Sequence, residues 1–263
     1  MSAIILESSL VHYEALGRGR PLLFLHDWLG SWRYWVPTMV DLSSSYRVYA
    51  VDFWGFGDSD KLASRYSVHG YVGQVELFMD QMGIGRVPII GHGLGGVVAI
   101  QYAMENPDRV EQVMTVSMPL EADDVARSLG SYGGGGQPAR SILGRRTLRN
   151  YEEVEIEADK IDGEAVAKSV RSALSTDILD ALEYLDVPVL LLGGRSDPLI
   201  RPPDEKRLSR LDYNVYAVVF DRSQHYPMLE EPSKFNRLVH DFLTYGDDWD
   251  RIEVKEHWKR RMR

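Results

Sequence analysis

The sequence contains no cysteine, which excludes disulfides and thiolate zinc sites and makes a reducing compartment, the cytoplasm, the expected setting. Excess positive charge is also missing. Thirty Lys and Arg stand against 39 Asp and Glu, for a net charge of -9 and a pI near 5.3, so nucleic acid is excluded as a partner, because phosphate neutralisation needs an electropositive face. No segment approaches the ~20 apolar residues of a membrane span. The start, Met1-Ser2-Ala3-Ile4-Ile5-Leu6-Glu7, lacks the basic stretch and apolar run of a signal peptide, so no membrane partner is expected. The glycine run Gly133 to Gly136, inside Ser131 to Pro138, lacks the lysine and Ser/Thr ending of a phosphate-binding loop and joins no strand to a helix. It reads as a flexible segment, and neither a cofactor nor a metal is expected.

What is present is enough apolar residue, 44% of 263, for one α/β domain with a substantial core. Residues 3 to 16 read as two short strands, followed by a strand from Pro21 to His26, a helix from Trp32 to Leu42 and a strand from Tyr46 to Asp52. A helix from Val68 to Met82, ending at Gly83, leads to the strand Val87 to Ile90. A second helix runs to about Asn106, and a strand spans Val110 to Val116. After Pro119 the alternation breaks, and Arg140 to Tyr184 is charged and weakly helical. Strands resume at Val187 to Leu192 and Asn214 to Phe220, each followed by a helix, the second over about Glu231 to Thr244. The expected architecture is a doubly wound, mostly parallel sheet built from 1–118 and 185–245, with a lid insertion at 119–184. The tail 246–263, ending in Lys255, Lys259, Arg260, Arg261 and Arg263, reads as a solvated charged end.

Between the apolar strand ending at Ile90 and the helix beginning Gly96-Val97-Val98 lies Gly91-His92-Gly93-Leu94-Gly95. This is the layout of a nucleophile elbow, G-x-S-x-G, with glycine where the hydroxyl belongs. Four further segments accompany it: Leu25-His26-Asp27-Trp28-Leu29-Gly30, Asp52-Phe53-Trp54-Gly55-Phe56-Gly57-Asp58-Ser59, Gly194-Arg195-Ser196-Asp197-Pro198 and Ser223-Gln224-His225-Tyr226-Pro227. Together these resemble the α/β-hydrolase superfamily over nearly the whole chain. The resemblance implies a triad acid at Asp197, a triad histidine at His225, and an oxyanion hole formed by the amides of Trp28 and Leu94. Asp27 replaces the family's usual glycine, and a carboxylate there opposes a developing oxyanion. His92 is expected to pack beside the turn.

By this resemblance Asp197 orients His225, whose other nitrogen faces the vacant nucleophile position at Gly93. Ser31, Ser117, Ser196 and Ser223 lie in loops near strand ends but lack elbow geometry. An aspartate at position 93 would signify dehalogenase or epoxide-hydrolase chemistry, and glycine removes that route at this position too. Trp28, Trp32, Trp35 and Trp54 either line an apolar pocket or pack in the core. Three functions fit: a degenerate hydrolase binding a small apolar or acyl-bearing molecule; an enzyme using His225 and Asp197 as a general base on a water in the vacated space or on an acidic substrate proton; and a serine esterase-type hydrolase in which glycine has replaced a native serine. A hydroxyl restored at position 93 is expected to meet an oriented base and raise esterase activity.

Overall fold

The structure, a computed structural model, describes residues 2–204, 208, 211, 214–246 and 248–252. One eight-stranded sheet organises it. The strands are β1 (Ser2–Leu6), β2 (Ser9–Leu16), β3 (Arg20–Leu25), β4 (Tyr46–Val51), β5 (Val87–His92), β6 (Val110–Val116), β7 (Val189–Gly194) and β8 (Val215–Phe220). They lie in the order β1-β2-β4-β3-β5-β6-β7-β8. β2 is antiparallel to both β1 and β4, and every pairing from β4 to β8 is parallel. All six residues of β5 and all six of β7 are buried, which is why these strands read as unbroken apolar runs: each is covered on both faces.

The order places a topological switch between β3 and β5. From β3 the chain crosses to β4 on one side, and from β5 it crosses to β6 on the other, so the loops leaving the two strands diverge and open a crevice at their carboxyl ends. Helices α1 (Val36–Leu42), α2 (Val68–Gln81) and α3 (Leu94–Glu105) connect these strands. Nine of the twelve residues of α3 are buried, in keeping with its place at the centre of the sheet.

Residues 119–184 contain six short helices: α4 (Arg127–Gly130), α5 (Pro138–Ile142), α6 (Arg145–Leu148), α7 (Glu152–Glu157), α8 (Gly163–Leu174) and α9 (Ile178–Tyr184). This segment is fastened to the sheet's loops by polar contacts. Trp28 Nε1 donates to Ser169 Oγ (3.1 Å), Arg33 pairs with the buried Glu157 (2.6 Å), Lys160 pairs with Asp58 (2.8 Å), and Tyr66 donates to Asp162 (2.8 Å). The glycine run is tied down as well: the Tyr132 hydroxyl donates to the Gly135 carbonyl (2.6 Å), and the Gly134 carbonyl lies so close to Gly163 that a Cβ there would approach it to 2.4 Å. Two further helices, α10 (Pro227–Glu230) and α11 (Pro232–Tyr245), close the fold, α11 packing on α1.

Several boundaries differ from the sequence expectation for local reasons. The expected helix from Trp32 divides into a 3-10 turn, Trp32–Trp35, and α1, whose first turn holds Pro37, where a missing N–H costs nothing. The seventh strand begins at Val189 rather than Val187, because Pro188 has no N–H to donate and contributes only its carbonyl, to Val113. β5 runs to His92, two residues beyond Ile90, since Gly91 and His92 still pair with Thr115 and Val116. The helix expected after β7 and the basic end of the tail lie outside the described residues.

Trp35 anchors the side of the sheet beneath the crevice, fully buried against Phe24 (4.7 Å between rings), Tyr34 (5.0 Å) and Phe235 (6.3 Å). Truncating it removes a large aromatic that its neighbours cannot replace by collapse. Trp35→Ala is therefore expected to lower folding stability by about 3–5 kcal/mol in urea unfolding, and a loss below about 1 kcal/mol would contradict this packing.

Candidate active site

Four loops meet at the carboxyl ends of the parallel strands. Gly93, between β5 and α3, has φ 48° and ψ -108°, a conformation that side chains resist and glycine adopts freely. The loop after β3 carries Asp27, the loop after β7 carries Asp197, and the loop after β8 carries His225. All three side chains are buried.

His225 Nδ1 lies 2.9 Å from Asp197 Oδ2. Asp197 is held in turn by the amides of Leu199 (2.8 Å) and Ile200 (3.1 Å), both donating to Oδ1. The other ring nitrogen, Nε2, does not face an empty position. It lies 3.1 Å from Asp27 Oδ2. The Gly93 site expected to be vacant is filled by this carboxylate, since a Cβ built on Gly93 would fall 1.7 Å from Asp27 Oδ1. Asp27 reaches from the loop after β3 into the space of a side chain at position 93, across the switch point between two adjacent strands.

The expected oxyanion amides serve the same carboxylate. Leu94 N–H donates to Asp27 Oδ1 (3.2 Å), Leu29 N–H donates to Oδ2 (3.2 Å), and the Trp28 amide adds to the stabilisation of the anion. Asp27 does more than lie nearby; it takes the Leu94 amide that the resemblance gave to an oxyanion hole. Its backbone is fixed on both sides: Asp27 N–H donates to the Tyr34 hydroxyl (2.7 Å), and the Asp27 carbonyl faces His26 Nδ1 (2.8 Å). Because His26 Nε2 accepts from Phe53 N–H (2.9 Å), the His26 proton resides on Nδ1, and the neutral ring ties the loop to the end of β4.

The charges follow from this geometry. Both nitrogens of His225 face carboxylate oxygens, which accept but cannot donate, so both must carry protons and the ring is an imidazolium. Burial works against every charge here, but Asp197 and Asp27 together raise the His225 pKa to about 10. Against the same burial, His225 holds Asp27 down at about 2 and keeps Asp197 below the usual carboxylate range. His92, packed beside the turn with its ring 4.7 Å from that of His225, is lowered to about 3, chiefly by burial. A charged His225 flanked by two acceptors is a proton donor, and cannot serve as a base while Asp27 remains ionised.

Among the described residues, no hydroxyl is hydrogen-bonded to the His225 ring. Ser223 Oγ donates to Glu231 (2.7 Å) and Ser31 Oγ accepts from Arg33 N–H (3.4 Å), while Ser117, at φ 44°, buries an Oγ that has no partner among the described residues. Trp35 and Trp54 are core residues, whereas Trp28 packs beside Asp27 and Trp32 is half-buried next to His12 (5.7 Å). Asp27, His92 and His225 bring ligand atoms within 4.8 Å of one another, but a cation there would have to displace the proton that His225 shares with the carboxylates. Sequence reasoning missed Tyr34, which orients the Asp27 backbone, and Ser169, which tethers Trp28. Neither belongs to a motif, and only the fold brings them to the site.

Comparison with known proteins agrees with this topology: residues 20–132 match the model of the alpha/beta hydrolase fold. The chain has the α/β-hydrolase fold. Among its relatives is a pimeloyl-[acyl-carrier protein] methyl ester esterase of Aliivibrio salmonicida, 26% identical over 91% of this chain and 98% of that one. A 2-hydroxy-6-oxo-2,4-heptadienoate hydrolase of Pseudomonas putida is 28% identical over 88% and 92%. The solved structure of a meta-cleavage product hydrolase from Pseudomonas fluorescens IP01 superposes with a TM-score of 0.79 at 25% identity, covering 93% of this chain and 97% of that one. Hydrolases, including esterases, are thus homologues. Among the described residues, no helix is long and apolar enough to cross a membrane.

The imidazolium has a measurable signature. With its folded pKa raised from 6.5 to about 10, His225 contributes stability in full below pH 6.5, and this is lost as pH rises towards 10. Asp27, lowered from 3.8 to about 2, contributes above pH 3.8 and loses its share as pH falls towards 2. Nitrogen NMR of His225 is expected to show both ring N–H groups at pH 8, with Asp27→Asn shifting its titration downwards; a neutral ring at pH 8 in the unaltered protein would refute the arrangement.

Proposed function

We propose that this chain is a hydrolase-fold protein that does not perform acyl transfer at position 93, its elbow hydroxyl being absent and its oxyanion hole filled by its own Asp27. The observation that carries this reading is the 1.7 Å between Asp27 Oδ1 and the Cβ position of residue 93. Acyl transfer needs a nucleophile against the histidine and amides free for the developing oxyanion. Here Asp27 satisfies both sets of groups. Activation of a water in the vacated space by His225 has little support, because the carboxylate takes that space and the ring is already protonated.

The fitting ligand is a small, largely apolar molecule. Trp28, Leu29, Tyr34, Leu94 and Tyr226 are all buried around the Asp27–His225 pair, with Tyr151 of the inserted segment stacked 4.7 Å from Tyr226. An acyl-bearing ligand is less favoured than the sequence implied, since its carbonyl oxygen finds no free amide. A native serine at position 93 replaced by glycine fits poorly with the observed Asp27, because that serine's Cβ would overlap the carboxylate.

This reading reverses the expectation for Gly93→Ser, which should yield no esterase: its side chain collides with Asp27, and the amides stay occupied. Removing the carboxylate at the same time frees both. The double variant Gly93→Ser, Asp27→Gly is expected to hydrolyse activated esters at least about 100-fold faster than Gly93→Ser alone and to bind a fluorophosphonate covalently. The unaltered protein should take up no fluorophosphonate by intact mass; a stoichiometric adduct would overturn the proposal.

A further inference from the structure

We propose that the inserted segment carries a second ligand site, an arginine-walled cleft where α5, α6 and α7 meet, which takes a small polyol phosphate: a phosphate monoester that also bears a hydroxyl. The cleft shares no residue with the Asp27–His225 crevice. It goes beyond the preceding reading, and neither depends on the other.

The cleft encloses about 240 Å³ and is lined by Arg140, Arg145, Leu148, Arg149 and Glu155. Three guanidiniums gathered in one place are out of keeping with a chain of net charge -9. Arg145 and Arg149 lie one turn apart, with the Arg149 N–H donating to the Arg145 carbonyl (3.4 Å), so their side chains leave the same face of α6. Like charges at that spacing repel. Neither side chain has a hydrogen bond or an ion pair among the described residues, so nothing in the protein offsets the repulsion. Arg140 is fixed instead: it pairs with Asp159 (3.4 Å) and donates to Gln137 Oε1 (2.5 Å), while Gln137 Nε2 donates to Asp159 (2.6 Å). One guanidinium is thus preset across from two that no carboxylate neutralises.

The lining selects the class of ligand. Guanidinium forks match the oxygens of phosphate in bidentate fashion, and the three outer oxygens of a monoester supply acceptors for three arginines where a carboxylate has only two oxygens. Glu155, half-buried, also lines the cleft but comes within 4 Å of none of the arginines. An ionised carboxylate accepts and cannot donate, so Glu155 repels a second anionic group and is satisfied by a hydroxyl. Size excludes a protein element. A helix is about 10 Å across with its side chains, too wide for this cleft, whereas a short polyol phosphate enters it. The cleft also adjoins the covering of the crevice: the carbonyl of Leu148, one of its lining residues, accepts from Tyr151 N–H (2.9 Å), and Tyr151 is the residue stacked on Tyr226. A bound phosphate therefore draws α5 and α6 together within the segment that covers the Asp27–His225 pair, without touching that pair.

The test uses the full chain and glycerol 3-phosphate in titration calorimetry at low salt. Charge-assisted bidentate contacts should give a Kd below about 1 mM. The double variant Arg145→Gln, Arg149→Gln should bind at least about tenfold more weakly, and because both side chains are exposed its circular dichroism should not change. Arg127→Gln with Arg171→Gln removes the same charge from exposed positions of the same segment outside the cleft, and should keep the affinity within about twofold. Equal losses in the two double variants would overturn the site, since they would report net charge alone. Glu155→Ala should weaken glycerol 3-phosphate but not inorganic phosphate; an unchanged ratio of the two would overturn the hydroxyl contact. Flotation with vesicles containing phosphatidylinositol 4-phosphate, in the absence of binding to glycerol 3-phosphate, would overturn the free ligand in favour of a lipid headgroup. Binding in neither assay would overturn the proposal outright. Fluorophosphonate labelling reports separately on position 93, so failure here leaves the preceding reading standing.

Discussion

The site depends on one interaction, a buried imidazolium held between two carboxylates. Everything near it is arranged so that Asp27 can complete that trio. Gly93 has no side chain where the carboxylate lies, Leu94 and Leu29 donate to it, and Tyr34 and His26 fix the backbone from which it projects. Such a cluster is not a source of stability by default. Desolvating three charges costs several kcal/mol each, which attraction recovers only when geometry is good and the remaining lone pairs are satisfied. Here the carboxylates receive backbone N–H groups from Leu199 and Ile200 at Asp197 and from Leu94 and Leu29 at Asp27, with the Trp28 amide adding to the latter, and the net charge of the trio is about one negative unit.

Its position follows from the sheet. A side chain on the loop after β3 can stand in for one at the elbow because β3 and β5 are neighbours, register-paired through Leu25 and Gly91, while their connections leave in opposite directions. The two loops face each other closely enough for Asp27 Oδ1 to lie 1.7 Å from the Cβ position of residue 93. Helix α3 opens immediately after Gly93, so the space of a side chain at 93 is open to one at position 27 at this point of the fold.

Most of the architecture was legible from residues alone, since buried parallel strands are short apolar runs and the glycine-rich turns between them need particular backbone angles. The elbow, the Asp27 loop, Asp197 and His225 were each visible as local patterns. What could not be read was that the two departures from the family pattern, aspartate at 27 and glycine at 93, were one feature. Each was a single residue within its own motif, and their contact spans 66 positions of chain. A signal did exist: both departures lie at the ends of strands that the resemblance makes adjacent, and a side chain gained beside a side chain lost invites the question of occupancy. Tyr34 and Ser169 gave no such signal, because their roles arise from packing after the loop and the inserted segment meet.

The coupling has a direction. With a side chain at position 93, Asp27 cannot adopt its present rotamer, since its Oδ1 would lie within bonding distance of a Cβ; it would be a buried carboxylate displaced from its amides and from His225. With glycine at 93 and nothing at 27, the histidine loses its Nε2 partner, but what stays unpaired is one nitrogen of a neutral imidazole, which burial penalises far less than a lone carboxylate. The two positions are therefore not interchangeable in order. Glycine at the elbow is the permissive change, and aspartate on the neighbouring loop is the one that commits His225 to the charged state. A site reached by that route keeps the histidine, the acid and the Leu94 amide, and reorganises them around the Asp27 carboxylate.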